Sequence, residues 1–304
     1  MMASRIDAPL AELQRLIARH GSPDAAPLAA LPNVRLVTAT APTRPFAYVS
    51  DPTFALVAQG KKRMGLGEKI FEYGAGRYLI IPVELPLDAR VAEATQDLPF
   101  LGFGFRLRPE AIATLLLDAG RAYPDNAQSA GIAVSALGHD LIDPVIRLLR
   151  LLDQPDDIPV LAPVVEREIV WRLITGEQGA MVRQIGLADS RMTQISRAIR
   201  WIRNHYAEAL RVEKLAGVAG MSVTSFHRHF RDVTSMTPIQ YQKQIRLQAA
   251  RSRLMSAPED VAQVGFAVGY DSPSQFSREY RRLFGYPPAQ DGKRLRDGHG
   301  GAVY

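Results

Sequence analysis

One short pattern occurs twice in the last third of the chain, and it restricts what the chain can fold into. Phe226, Phe230 and Val233 are apolar at i, i+4 and i+7, and fifty positions later Phe276, Tyr280 and Leu283 repeat that spacing. A serine opens each copy, Ser222 and Ser272, at the place where a helix N-cap accepts a bond from orphan backbone N–H groups. The opposite face carries Thr224, Arg228 and Arg231 in the first copy and Ser274, Arg278 and Arg281 in the second. Each helix therefore has one apolar stripe and one stripe made of a small polar residue and two arginines. Pro238 and Pro288 close the two units in register.

The residues before each helix set the type of module. Ala216 stands four before Gly220, and Gly265 four before Gly269. A residue with little or no side chain lets the next helix pack close, and the glycine permits the positive φ of a tight turn. That is the pattern of a helix-turn-helix, whose second helix enters the DNA major groove. A short helical hairpin alone means little, but two in tandem, each followed by an arginine-striped helix, point to a surface for a polyanion.

Residues from about Ser190 to Pro288 resemble the DNA-binding domain of the AraC/XylS family of bacterial transcription regulators. The most specific part runs from Gly269 through Tyr270, Asp271, Ser272, Pro273, Ser274, Gln275, Phe276, Ser277 and Arg278 to Tyr280, then Phe284, Gly285, Pro287 and Pro288. The resemblance covers about a third of the chain. It implies base contacts from the second helix of each unit, a homodimer, a contact with RNA polymerase and control by a small molecule.

Charge agrees with that reading. The net charge is +6, but residues 191–304 hold 18 Lys+Arg against 9 Asp+Glu, whereas residues 1–190 hold 19 against 22. The basic excess sits with the repeat, as phosphate neutralisation requires. The absence of cysteine excludes disulfides, thiolate metal sites and cysteine nucleophiles, and with them the alkyl-accepting repair proteins that borrow an AraC-like domain. No apolar run approaches the ~20 residues of a membrane span, and the N-terminus lacks a signal-peptide pattern. A cytoplasmic protein without membrane association is expected.

From about Val34 to Leu107 the texture is one of short β-rich runs broken by Gly and Pro. Candidate strands are Val34–Thr40, Phe46–Val49, Phe54–Gln59, Arg63–Leu66, Lys69–Tyr73, Tyr78–Pro82, Arg90–Ala94 and Leu101–Leu107, with turns at Gly67-Glu68 and Gly74-Ala75-Gly76. Such spacing favours a sandwich or barrel. The run from Ala58-Gln59-Gly60-Lys61-Lys62 to Tyr73, with Gly76, Tyr78 and Leu79, is similar to the cupin-like regulatory domain of one AraC subfamily. Catalytic cupins hold a metal with histidines and a carboxylate, yet no histidine lies between His20 and His139. Neither metal, cofactor nor catalytic residue is expected. Phe54, Leu56, Phe71, Tyr73, Phe103 and Phe105 alternate with other side chains, so some point into the barrel, and no ligand-binding subset is singled out.

Helices are predicted around Leu10, Leu13 and Ile17, ending near Gly21. Others are predicted around Ile112, Leu115 and Leu116, around Leu141 to Leu152, and around Val164, Val165, Ile169, Val170 and Leu173. Either of the last two could pair two chains. The expected fold is a two-domain α+β chain. A helix and lead-in (1–33) precede a cupin-like β-barrel or jelly roll with flanking helices (34–176). A linker (177–189) leads to an all-α double helix-turn-helix domain (190–290) and a flexible tail (291–304).

A helical pattern runs from Pro238 to Ser256, bounded by Pro238 and Pro258. At ~1.5 Å per residue it spans roughly 28 Å, close to the ~34 Å repeat of the major groove. It can therefore hold two reading helices over neighbouring groove openings. Thr224, His227 and Arg228, and in the second copy Ser274, Gln275 and Arg278, are the candidate base contacts: arginine suits guanine, glutamine adenine, and the threonine methyl thymine. Arg231 and Arg281, one turn on, suit phosphates. Gln275 also stands where a capping box would use it, and His227 could meet a base, a phosphate or only water. His229 reads as a packed histidine. A ligand-responsive transcription regulator is expected; a cupin-type enzyme and a non-specific DNA binder are the alternatives.

Overall fold

The computed structural model describes residues 6–23, 26–120, 132–187, 190–256 and 260–297. Helix α1 (Asp7–His20) buries Leu13, Leu16 and Ile17. Eight strands follow: β1 (Val34–Ala39), β2 (Phe46–Ser50), β3 (Thr53–Gln59), β4 (Lys61–Leu66), β5 (Lys69–Gly74), β6 (Arg77–Ile81), β7 (Leu85–Glu93) and β8 (Phe100–Arg106). After α2 (Pro109–Ala119) comes β9 (Val134–Ala136). The strands form two antiparallel sheets, in order β1-β8-β3-β6-β9 and β2-β7-β4-β5, packed as a sandwich.

Alternation on β3 and β8 sorts their side chains sharply. Leu56 pairs with Phe103 and Phe54 with Phe105 on one face, whereas Ala55 pairs with Gly104 and Val57 with Gly102 on the other. The large residues pack outward, where α1 contacts β1, β3 and β8. Of the aromatic residues weighed for the barrel interior, Phe54, Phe103 and Phe105 thus serve the helix-covered face. Tyr73, on the other sheet, lines the cavity between the sheets.

Strand β7 starts at Leu85, five residues before the expected Arg90. Pro86 disguises it, because proline is foreign to central strands. Pro86 pairs with Val49 of β2, but the ladder to β4 ends at the Gly65–Asp88 pair. It therefore lies beyond the end of β4, where its missing N–H breaks no bond on that side. Strand β9 is too short to show in the sequence.

Helix α3 (His139–Arg150) packs on α1 and on α4 (Ile158–Thr175), and α1 in turn lies on β1, β3 and β8. In α4 the buried side chains are Ala162, Val165, Ile169, Val170, Leu173 and Ile174, while Val164, expected inside, is exposed. Residues 177–189, expected as a linker, contain helix α5 (Gly179–Gly186), which buries Met181, Val182 and Ile185 and packs on α2 and α4. This segment is packed structure wherever it is described.

The remaining helices are α6 (Arg191–Asn204), α7 (Val212–Ala219), α8 (Val223–Thr234), α9 (Pro238–Ser256), α10 (Val261–Ala267), α11 (Pro273–Phe284) and α12 (Pro288–Arg296). Residues 291–296, expected as tail, belong to α12, and Asp291 is fully buried. Pro258 lies outside the described residues.

One apolar cluster runs without a break from the sandwich through α6, α7 and α8 to Tyr241 and Ile245 of α9. A second, made by Leu247, Ala250, Leu254, Val264, Val268, Tyr270, Phe276 and Tyr280, is separate. At ~100° per residue, Tyr241 and Ile245 lie roughly opposite Leu247, Ala250 and Leu254 around the helix. Helix α9 thus changes its buried side midway, so its 19 residues show no single apolar stripe, and Ile239 is exposed. The first helix-turn-helix is also tied to the sandwich by polar bonds. The Tyr241 hydroxyl donates to the Glu84 carbonyl at 2.9 Å, and Arg203 pairs with Glu84 at 2.5 Å.

Candidate nucleic-acid interface

The two helix-turn-helix units are built by the same local devices. Helix α7 ends on Gly220 at φ +67°, and α10 is followed by Gly269 at φ +93°. Ser222 Oγ accepts from the Ser225 N–H, and Ser272 Oγ from the Gln275 N–H, each at 3.3 Å. Ala216 is buried, and a Cβ on Gly265 would stand 3.1 Å from the Phe276 ring, so the second unit is the more tightly packed at this point. The C-caps match too: Ser235 (φ +56°) after α8 and Gly285 (φ +80°) after α11.

Gly220 and Gly269 differ in their surroundings. A Cβ on Gly220 meets open space, but on Gly269 it would lie 2.3 Å from the Ala207 carbonyl oxygen. Gly220→Ala is expected to cost about 1 kcal/mol through strained φ alone. Gly269→Ala adds a backbone clash and should lower the melting temperature by clearly more. Equal melting temperatures for the two variants would contradict this account of the second turn.

Apolar faces hold both helices down. Phe226 and Phe230 are buried in the first core, with Phe230 edge-on to Tyr241, and Phe276 and Tyr280 in the second. The opposite faces are open: Thr224, His227, Arg228 and Arg231 on α8, and Ser274, Gln275, Arg278 and Arg281 on α11, are all exposed. Arg228 has one loose side-chain contact, donating to His229 Nε2 at 3.4 Å. The amide of Gln275 donates to Glu279 Oε1 at 3.3 Å, so its side chain points along the helix and makes no capping-box bond. His229 is half-buried, and burial together with Arg191 and Arg228 holds its imidazole below the ordinary histidine range.

Several residues that orient the two units escaped sequence reasoning. Arg246 of α9 donates to the Tyr206 carbonyl at 2.6 Å, to Gly269 at 2.6 Å and to Glu208 at 2.9 Å, and so clasps the α6–α7 loop and the second turn together. Lys243 pairs with Glu279 at 2.9 Å, and Glu279 accepts from the Tyr270 hydroxyl at 2.9 Å, which sets α11 against α9. Asp291 accepts from Arg251 at 2.9 Å, Tyr280 at 3.0 Å and Arg294 at 2.7 Å. A helical sequence shows arginines and acids but not which of them face a neighbouring turn, so no local signal marks these partners.

Near this surface, the turn between β4 and β5 forms one wall of a cleft of about 1080 Å³. Arg191, Arg231, Lys243 and Arg282 also line it, so Arg231 borders a basic cleft as well as the exposed helix face. Among the described residues no three His, Asp or Glu side chains come together to hold a metal ion, and no helix is long and apolar enough to cross a membrane.

Two helix-turn-helix units joined by one long helix, behind an antiparallel β-sandwich, define a class: a DNA-binding domain carried by a β-domain. Comparison with known proteins agrees. Residues 30–181, half of the chain, match the family of the AraC-type transcriptional regulator N-terminus, and residues 215–294 match a helix-turn-helix domain. The chain belongs to the AraC family of transcriptional regulators. It is 28% identical over 148 residues to the transcriptional activator RhaS of Escherichia fergusonii, covering 48% of this chain and 52% of that one. It is 35% identical over 102 residues to the MmsAB operon regulatory protein of Pseudomonas aeruginosa, covering 34% of this chain and 33% of that one. The chain thus spans about half the length of RhaS and a third of the MmsAB regulator. These relatives are regulators of transcription. In fold it is similar to ToxT of Vibrio cholerae O395, with a TM-score of 0.52 at 9% identity, covering 86% of this chain and 98% of that one.

Proposed function

We propose that this protein is a sequence-specific, cytoplasmic transcription regulator controlled by a small molecule bound between the two β-sheets. It reads double-stranded DNA in two successive major-groove openings. The observation that carries this reading is the pair of exposed stripes, Thr224–Arg228–Arg231 and Ser274–Arg278–Arg281, each on a helix whose opposite face is core. We assign base contacts to Thr224, His227, Arg228, Ser274, Gln275 and Arg278, and phosphate contacts to Arg231 and Arg281. Ala216, Gly220, Gly265 and Gly269 shape the turns that present them. The unbroken core from the sandwich to α8 supplies a route by which an occupied β-domain shifts the first reading helix.

We further assign pairing of two chains to α4, which leaves Val160, Leu161 and Val164 exposed, and expect the DNA-bound dimer to contact RNA polymerase. The protein is not an enzyme in this reading; stoichiometric iron, manganese or zinc in the purified protein would favour the cupin-type alternative.

Gel shifts at physiological salt with excess competitor DNA test specificity. Retention of one genomic site is expected, and loss of all complexes to competitor would indicate a non-specific binder. Arg231→Ala should weaken binding across sequences and reduce the slope of log K against log salt by about 0.9. An unchanged slope would remove Arg231 from the phosphate contacts.

A further inference from the structure

The cavity between the sheets has a volume of about 160 Å³. Its walls combine two kinds of residue. Ala55, Val57, Gly102 and Gly104 give it space on the β3–β8 side, and a Cβ on Gly104 would meet nothing closer than 3.7 Å. Lys62, Tyr48 and Tyr73 give it polar groups on the other side. Lys62 stands opposite Tyr73 in the β4–β5 ladder.

The lysine is the anomaly. Its neighbour Lys61 pairs with Glu93 at 2.5 Å, but Lys62 has no hydrogen-bond or ion-pair partner among the described residues. Burial alone pushes its ammonium down to about 8, with no carboxylate near enough to hold it up. Lys62 is half-buried and faces the cavity; a partly desolvated ammonium without a counter-charge is costly, and a bound anion would offset that cost. Burial also raises the Tyr48 phenol to about 12 and the Tyr73 phenol further, so both stay protonated and offer O–H donors at neutral pH. The site presents a cation and two hydroxyl donors; Asp51, a carboxylate that also lines the cavity, is paired with Arg106 at 3.7 Å, which leaves Lys62 without a counter-charge.

We infer that the cavity binds a small organic monocarboxylate, with Lys62 as its counter-charge, Tyr48 and Tyr73 as hydrogen-bond donors, and its apolar body against Ala55, Val57, Gly102 and Gly104. An apolar cavity of about 150 Å³ accommodates benzene, so the ligand has about six to nine non-hydrogen atoms. This inference rests on the reading of the β-domain as the regulatory domain, and it names the chemical class of its ligand.

Full-length protein is titrated calorimetrically with benzoate, hexanoate and phenylacetate, and with the corresponding neutral amides. At least one carboxylate is expected to bind, and its amide at least tenfold more weakly. Lys62→Met should bring acid and amide within about twofold of each other, while the ligand-free variant melts at the same temperature as the parent or higher. Gly104→Val, which fills the cavity, should remove binding of both. No binding by any of the carboxylates, equal binding of acid and amide by the parent, or an acid preference that survives Lys62→Met would overturn the assignment. Gel shifts run in parallel separate the two readings. Specific DNA binding without carboxylate binding sinks the ligand assignment and leaves the regulator; the reverse leaves the cavity site and sinks the regulator.

Discussion

Replacing Arg228 and Arg278 together with alanine is expected to weaken binding at the cognate DNA site by about 2–6 kcal/mol, roughly 30- to 20,000-fold. Each arginine is assigned a guanine contact, and losing one such contact costs about 1–3 kcal/mol. The two losses should add, because the arginines stand on different helices seated in separate cores. Both side chains are exposed in the free protein, so the double variant should melt within a few degrees of the parent. Specificity should relax with affinity, since binding to random DNA uses the phosphate contacts that remain. A double variant that holds the cognate site as the parent does would remove both residues from the interface.

The second large effect concerns support for α11. Asp291→Ala is expected to destabilise the α10–α12 unit by about 3–5 kcal/mol, the cost of breaking a buried charge cluster by removing one partner. Asp291 is fully buried and is the shared acceptor for Arg251, Arg294 and the Tyr280 hydroxyl. The arginines are largely buried as well and lie over aromatic rings, Arg251 on Phe284 at 4.6 Å and Arg294 on Tyr286 at 4.3 Å. Alanine leaves two largely buried guanidinium groups without their carboxylate and takes away the acceptor of the Tyr280 hydroxyl. Because this core is separate from the first, the loss should appear locally. Amide exchange in α10–α12 is expected to accelerate while α7 and α8 keep their protection. A change below about 1 kcal/mol, or equal acceleration in both units, would show that the cluster does not hold the second unit.

Periodicity made most of the fold legible in the sequence. The repeat of Phe226, Phe230 and Val233 at Phe276, Tyr280 and Leu283 marks two equivalent helices, and glycine and serine punctuation marks their turns and caps. Eight strands show as alternating runs, apart from the first half of β7, hidden by Pro86 at a place where only β2 is its neighbour. What stayed hidden depends on three-dimensional neighbours. Helix α5 reads as a connector because its apolar residues are few and short in span, yet α2 and α4 cover them. Helix α12 looks like tail because its sequence is rich in charge, and the burial of Asp291 becomes visible only with Arg251 in place. In the β-domain the aromatic residues drew attention, whereas the cavity is made by what alternates with them: Ala55, Gly102 and Gly104. The arginine stripes were legible because an exposed face follows from helix period alone. Arg246 was not, because its partners are backbone carbonyls distant in sequence.

Guanine protection on the operator tests the twin reading helices most directly. Once a bound site is mapped in the genome, methylation of guanine N7 is measured with and without protein. Two protected patches about one helical turn apart on one side of the duplex are expected, with Arg228→Ala exposing one patch and Arg278→Ala the other. A single patch, or two that respond together to either substitution, would contradict the account.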